Sequence, residues 1–437
     1  MNQRKSILAR KKQLLKTWGL RDQPPFRGVP SGDITELMKV FVNREREIER
    51  AILTLDEGEN ILVRGMTGIG KTALIMALLY QMQQEKKDLG EDILPIHIRQ
   101  FVGNTRDEFY RVILYALAKK LSVRNQRAKE ILYALTGEQI TKGKNLGIAG
   151  EMEVDATPLL KAKIGANIGE DKSTILEIEH PEHFVDELLN IAVKKYHRVI
   201  IAVDDLEKCS NQGSIKSMFE SSLDLIRAPR CSFILTGRTL TILEDIFTSG
   251  LDIFNETIPL QPLSPQDLRL IAIRTLNLVR HQPDEKGAYP FTDEVINIIV
   301  SKSFGIPRQF ILICGKILKI AIEKGIQELT KEGFQKTFEQ LEEEIAGQDV
   351  PPDIRRVLYL GLQQGGFSIA KDADLDQVFD VLGITTLKQF VDFADNLVRQ
   401  DLLQRLTDNC GEIIYQLAPG VEKLAQSGAT AGNENKT

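Results

Sequence analysis

Residues 61–72 read Ile61-Leu62-Val63-Arg64-Gly65-Met66-Thr67-Gly68-Ile69-Gly70-Lys71-Thr72. From Gly65 onward they satisfy the spacing GxxxxGK[ST]. The spacing predicts a buried strand over 61–65, a loop, and a helix over 72–84, TALIMALLYQMQQ. Glycines let the backbone wrap closely, so that N–H groups cradle phosphate oxygens. The helix N-terminus adds a field that favours anions. Lys71 is expected to reach the β- and γ-phosphates, and the Thr72 hydroxyl to hold Mg²⁺. A chance match in a glycine-rich turn is the bland alternative. The strand and helix on either side count against it.

Further strand ends extend this chemistry. Val199-Ile200-Ile201-Ala202-Val203-Asp204-Asp205 is an apolar run that ends in carboxylates. Asp204 is the candidate Mg²⁺ ligand. Asp205 stands where a carboxylate would polarise an attacking water, and Glu207, one methylene longer, is the alternative. Solvated acids in a strand-end turn are the bland reading, and the upstream loop outweighs it. Ser232-Phe233-Ile234-Leu235-Thr236-Gly237-Arg238 is a third such strand. Thr236 and Arg238 are placed to offer donors to a terminal phosphate; otherwise Arg238 is a surface arginine. Gly305-Ile306-Pro307-Arg308 reads as a helix start, because proline suits the first turn. Arg308 either turns toward phosphates or merely follows that punctuation.

The same alternation runs through much of the chain. ILPIHIRQF (93–101) and ETIPL (256–260) read as strands. DEFYRVILYALAKKL (107–121), HFVDELLNIAVKKY (183–196) and FESSLDLIR (219–227) read as helices. Strands this apolar, separated by helices, predict a parallel sheet covered on both faces. Residues 123–178 interrupt the rhythm. There EMEVDA (151–156) and LKAKIGANI (160–168) alternate in polarity, which predicts a β-hairpin around Pro158. After residue 260 the pattern is helical to about 349. Residues 350–424 then read as three helices followed by a two-stranded wing. The tail, 425–437, is expected to be disordered.

Composition limits the class of function. The chain has 437 residues, with 56 basic and 61 acidic, a net charge of −5. Hydrophobic residues make up 42%, enough for a sizeable core. No run approaches the roughly 18 consecutive apolar residues of a spanning helix. The N-terminus lacks the apolar stretch of a secretory signal. The four cysteines are far apart, which argues against a disulfide framework and for a reducing, cytoplasmic setting. Residues 1–30 carry eight basic residues and one acid. This arm is either a basic helix packed on its own domain or a contact to nucleic acid or an acidic partner.

Taken in order, these motifs resemble the AAA+/STAND superclass of P-loop ATPases, an origin-recognition-like core with lid and winged helix. The resemblance covers about residues 41–420. Phe41-Val42-Asn43-Arg44-Glu45-Arg46-Glu47 matches the motif that such families place before the P-loop, with Asn43 in place of glycine. The resemblance implies that Asn43 and Arg44 contact the adenine side. It also implies that Thr236 and Arg238 form sensor 1, and that Gly305, Pro307 and Arg308 form the lid motif. Gly19-Leu20 and Pro25-Phe26 resemble the lead-in of some transposition and secretion ATPases. Two features depart from the pattern. Residues 239–260 contain no Arg or Lys to serve as an arginine finger. The chain also lacks the repeat array usual in STAND switches.

The expected fold is α/β: a P-loop NTPase parallel sheet flanked by helices, then a helical lid and a winged-helix domain. The expected domains are a basic arm and lead-in (1–40) and an ATPase core (41–260) with the 123–178 insertion. A lid (261–349) and a winged helix (350–424) follow. The expected cofactors are ATP and Mg²⁺, bound by Gly65, Met66, Thr67, Gly68, Ile69, Gly70, Lys71, Thr72 and Asp204. The expected function is an ATP-hydrolysing molecular switch with slow turnover that assembles with protein partners or with itself. The alternative is an initiator- or transposition-like ATPase that loads on DNA through the basic arm. Residues 351–424 speak against DNA at the wing. They hold seven basic and eleven acidic residues, with Lys388 facing Asp392 and Asp395 on the longest helix.

Overall fold

The computed structural model describes residues 7–23, 25–26, 34–66, 68–99, 101, 103, 105–136, 153–155, 179–204, 206, 217–237, 253–284, 287–346, 350–369, 375–407 and 413–429. The chain divides into two compact units. One comprises Val29–Gly65 and Ile69–Gln261. The other comprises Met1–Gly28, Met66–Gly68 and Pro262–Thr437.

Helix α1 (Ile7–Thr17) belongs to the second unit. The first unit runs α2 (Ile34–Val40), α3 (Glu45–Asp56), β1 (Ile61–Arg64), α4 (Lys71–Asp88) and β2 (Ile93–Arg99). It continues with α5 (Arg106–Leu121), α6 (Gln126–Thr136), β3 (Glu153–Asp155), α7 (Pro181–Val193) and β4 (Arg198–Val203). It ends with α8 (Leu223–Ile226), β5 (Cys231–Gly237) and β6 (Glu256–Pro259). The strands form one six-stranded sheet in the order β3-β2-β4-β5-β1-β6. Every neighbouring pair is parallel. Strand β5 therefore lies between the strand that feeds the glycine loop and the strand that ends in Asp204.

The sheet is buried because its strands are apolar on both faces. Ile61, Leu62, Val63, Val199, Ile200, Ile201, Phe233, Ile234 and Leu235 are all fully covered. On one side Phe109 of α5 meets Phe233 of β5 and Phe101 and Phe219, with ring centroids 5.7–6.2 Å apart. Asn60, just before β1, ties three segments together. Its amide donates to the carbonyls of Ile226 and Ile253, and its oxygen accepts from the Phe233 N–H at 2.8 Å.

Three sequence expectations change here. Within 123–178, residues 126–136 form a regular helix, α6, that buries Ala128, Ile131, Leu132 and Leu135 in the core. These positions follow i, i+3, i+4, i+7. Glu153–Asp155 does not stand apart as one arm of a hairpin but pairs parallel with His97–Arg99 at the sheet edge. The second expected arm, 160–168, lies outside the described residues. FESSLDLIR is broken into helical residues 217–220 and the short α8.

The second unit continues with α9 (Pro265–Asn277), α10 (Asp293–Ser303), α11 (Pro307–Lys324) and α12 (Lys331–Ala346). Then come α13 (Pro352–Gln364), β7 (Phe367–Ser368), α14 (Asp376–Leu382), α15 (Leu387–Arg399), β8 (Leu403–Thr407), β9 (Ile413–Leu417) and α16 (Glu422–Ser427). The last strands form an antiparallel sheet, β7-β9-β8, beside helices α13 to α15, which is the winged-helix arrangement. Phe390 of α15 fills its centre against Phe367 and Tyr415. Asp395, on the same helix, pairs with Arg405 of β8 at 3.3 Å and accepts from the Tyr415 hydroxyl at 2.9 Å.

The described part of the basic segment, residues 7–23 and 25–26, is packed. Leu14, Leu15, Trp18 and Leu20 are buried, while Ile7 and Leu8 remain exposed. Arg10 donates to the Glu323 carbonyl and the Trp18 indole to the Gln327 carbonyl. The Arg21 N–H donates to the Val279 carbonyl at 2.7 Å.

Candidate functional site

The site is built at the ends of β1, β4 and β5. Strand β1 delivers Gly65, where an added Cβ would lie 3.0 Å from Ile69 Cγ2 and 3.3 Å from the Leu260 carbonyl. Gly68 and Gly70 have φ of +81° and +107°, a backbone that glycine alone adopts without strain. Helix α4 then starts at Lys71 with no side-chain cap and no acid in its first turn. Its first N–H groups have no partner within the helix, which is the arrangement that receives an anion. Met66 and Ile69 are buried, which anchors the loop.

Lys71 is also buried, and its Nζ donates to the Gly65 carbonyl at 2.9 Å. Thr72 Oγ1 donates to Asp204 Oδ2 at 2.6 Å. The Thr236 hydroxyl, at the end of β5, donates to Asp204 Oδ1. The Asp204 N–H is held by the Ile98 carbonyl at 3.0 Å, which fixes the strand end itself. Asp204 is 2% exposed. Burial alone would push its carboxyl up. The His97 ring and the Thr236 and Thr72 hydroxyls outweigh burial and hold it well below the usual carboxylate range.

His97 comes from β2, with Nε2 3.5 Å from Asp204 Oδ2. Sequence reasoning missed it. The available signal was a single imidazole in the otherwise apolar strand ILPIHIR. An ionised carboxylate and a hydroxyl, both oxygen donors, fit a hard divalent cation. Thr72 and Asp204 are therefore suited to Mg²⁺.

The other expected residues are placed as follows. Asn43 and Arg44 have φ of 46° and 149°, an unusual backbone for side chains other than glycine. Arg44 is buried, pairs with Glu47 at 3.0 Å and donates to the Gln261 carbonyl. Its guanidinium thus ties the start of α3 to the segment after β6. Pro307 occupies the first turn of α11, as its sequence context predicts. Gly305, with φ of +76°, accepts from the Leu263 N–H, and a Cβ there would meet the Leu263 carbonyl at 2.8 Å. Within the second unit the Arg308 N–H approaches the Gly68 carbonyl at 3.3 Å. Thr67, Asp205, Glu207 and Arg238 lie outside the described residues.

Residues 41–135 match the family model for Novel STAND NTPase 6. The match spans the motif at Asn43 and Arg44, the glycine loop, α4, β2 and α5, and stops at α6. It covers less than a quarter of the 437 residues. No curated protein matches this chain in sequence. Among solved structures, the Aeropyrum pernix ORC1 protein in complex with DNA is similar at 13% identity and a TM-score of 0.44. That alignment covers 92% of this chain and 98% of that one. The Aeropyrum pernix ORC2 protein, solved as ADPNP–ADP complexes, is similar at 12% identity and a TM-score of 0.46. It covers 91% of this chain and 96% of that one. The Walker-type ATPase paby2304 of Pyrococcus abyssi is similar at 15% identity and a TM-score of 0.44, covering 89% and 96%. At such identities and scores these likenesses do not extend to what those proteins bind. Among the described residues no helix is long and apolar enough to cross a membrane.

Proposed function

We propose that this chain is an ATP-binding and ATP-hydrolysing molecular switch whose nucleotide state governs assembly with protein partners. The observation that carries it is the Thr72–Asp204 hydrogen bond beside an uncapped helix N-terminus that follows a glycine loop. Backbone N–H groups of the loop and of the first turn of α4 bind the phosphates. Lys71 exchanges its Gly65 carbonyl for phosphate oxygens. Thr72 and Asp204 hold Mg²⁺, which when bound neutralises charge on the β- and γ-phosphates. Thr236 keeps the Asp204 carboxylate in one orientation. Asp205, or Glu207 in its place, orients a water onto the γ-phosphorus and takes its proton. The new P–O bond forms as the bond to ADP breaks. Asn43 and Arg44 are assigned to the adenine side, and Arg238, Pro307 and Arg308 to sensing the γ-phosphate.

The test is ATP turnover and nucleotide binding in Asp205→Asn and Glu207→Gln, with solution mass measured in ADP and in a non-hydrolysable ATP analogue. The expected result is retained binding with lost turnover in one of the two variants, and a mass that differs between nucleotides. A wild-type chain that binds no ATP overturns the reading.

DNA loading is the second reading. Lys12 and Lys16, exposed on α1 while Leu14 and Leu15 are buried, favour it.

A further inference from the structure

We infer that His97 is a positioning residue that holds the Asp204 carboxylate in the orientation needed for the divalent cation. The inference rests on the proposed nucleotide site and adds to it a residue from a strand that carries none of the expected motifs.

His97 sits within β2, opposite Ala202 of β4 on one side and Glu153 of β3 on the other. Its strand neighbours Ile93, Leu94, Ile96 and Ile98 are buried hydrocarbons. The imidazole is 0% exposed, and neither ring nitrogen has a hydrogen-bond partner among the described residues. Burying such a ring without a hydrogen bond is unfavourable, and a leucine or isoleucine would serve the core better. A neighbouring carboxylate resolves this. Nε2 lies 3.5 Å from Asp204 Oδ2, just outside hydrogen-bond reach.

That oxygen is the one that accepts from Thr72, while Oδ1 accepts from Thr236. In the proposed site the Thr72 oxygen also serves the cation, so Thr72 cannot be placed for Asp204 alone. A ring carrying its proton on Nε2 supplies a donor from a separate strand. A shift of a few tenths of an ångström makes the bond. The carboxylate is then fixed through both oxygens by groups from different elements. Carboxylates that hold metals are commonly oriented in this way by a neighbouring hydrogen bond.

The experiment measures affinity for a fluorescent ATP analogue with and without Mg²⁺, for the wild type, His97→Phe, His97→Gln and His97→Met. Phenylalanine keeps the ring and removes the donor. Glutamine restores a donor at similar reach, and methionine matches its length without one. Metal-free affinity is expected to be the same in all four. The gain in affinity on adding Mg²⁺ is expected to fall roughly 10–100-fold in the Phe and Met variants and to recover in Gln. If His97→Phe does not fold, the Gln and Met pair decides alone. Equal Mg²⁺ gains in Gln and Met overturn the assignment of His97 while leaving the nucleotide site intact. A wild-type chain whose nucleotide affinity does not respond to Mg²⁺ overturns the proposed function and this inference together.

Discussion

Thr72 and Asp204, 132 residues apart in the chain, share a 2.6 Å hydrogen bond at the mouth of the parallel sheet. A hydroxyl from a helix start and a carboxylate from a strand end meet because β5 spaces β1 from β4 by one strand. Thr72→Val keeps the shape and removes the hydroxyl. It is expected to lower ATP turnover by roughly 100-fold and to raise the Mg²⁺ concentration needed for half-maximal rate. Thr72→Ser is expected to stay near wild type. A titration of turnover against Mg²⁺ for both variants checks this.

Lys71→Ala removes a charge that here rests on the Gly65 carbonyl. A charge-assisted hydrogen bond to phosphate is worth about 1.5–3 kcal/mol, so nucleotide affinity is expected to fall at least tenfold. A thermal melt without nucleotide reads what the same change costs the fold, through the lost bond to the Gly65 carbonyl. Calorimetric titration of ATP, paired with a thermal melt, separates the two effects.

Gly68→Ala places a side chain at φ +81°, with its Cβ 2.9 Å from Arg308 Cβ. The left-handed backbone alone costs about 1–2 kcal/mol for a residue with a Cβ. Relief of that strain reshapes the loop, and nucleotide affinity is expected to fall by roughly tenfold or more. Wild-type affinity in Gly68→Ala would show that the loop tip tolerates a different backbone.

Acid tests the buried carboxylate. Asp204 is held below its ordinary value, with the opposing effect of burial outweighed by His97, Thr236 and Thr72. The unfolded chain therefore takes up the proton first as pH falls. The stabilisation is full above the ordinary carboxylate pKa of about 4 and disappears as pH falls through the folded value. The stability difference between wild type and Asp204→Asn is expected to be flat from about pH 7 to 5 and to shrink below about pH 4. Denaturant unfolding across that range measures it.

Removing residues 1–21 deletes Leu14, Leu15 and Trp18, each buried within the second unit. Burial of such side chains contributes roughly 1.5–3 kcal/mol each, so a clear fall in melting temperature is expected. If α1 also binds DNA, each lost phosphate contact removes about 0.9 from the slope of log affinity against log salt. A salt series on the full chain and on a double Lys12→Gln, Lys16→Gln variant reads that contact without unpacking the helix.

The elements that a periodicity argument finds here are those whose local pattern is decided by burial. Strands β1 and β4 are apolar apart from an arginine at one end, β5 is apolar apart from Ser232 and Thr236, and α4 follows β1 through the glycine loop, so these elements were legible, although α4 runs four residues beyond the expected 84. Helix α6 was not, although Ala128, Ile131, Leu132 and Leu135 have helical spacing. Its neighbourhood of glycines and charges drew attention to irregularity instead. Asp204, Thr72 and Lys71 were legible because their spacing is local or their strand is distinctive. His97 was not, because its role depends on which strand lies beside β4, and pairing across a sheet leaves no mark in the sequence of either strand. The same holds for Asn60, whose three partners come from three distant segments.

Helix α15 shows what pairing does to a charge count. Read along the chain, its two aspartates outnumber the lysine that faces them. In the fold Asp395 is turned inward onto Arg405 and Tyr415 and leaves the solvent side. The ionised residues that α15 exposes are Lys388, Asp392 and Arg399, two positive against one negative, or +1. To a polyanion this helix is thus a faintly attractive surface rather than a repelling one. The acidity of the wing resides in the residues around it.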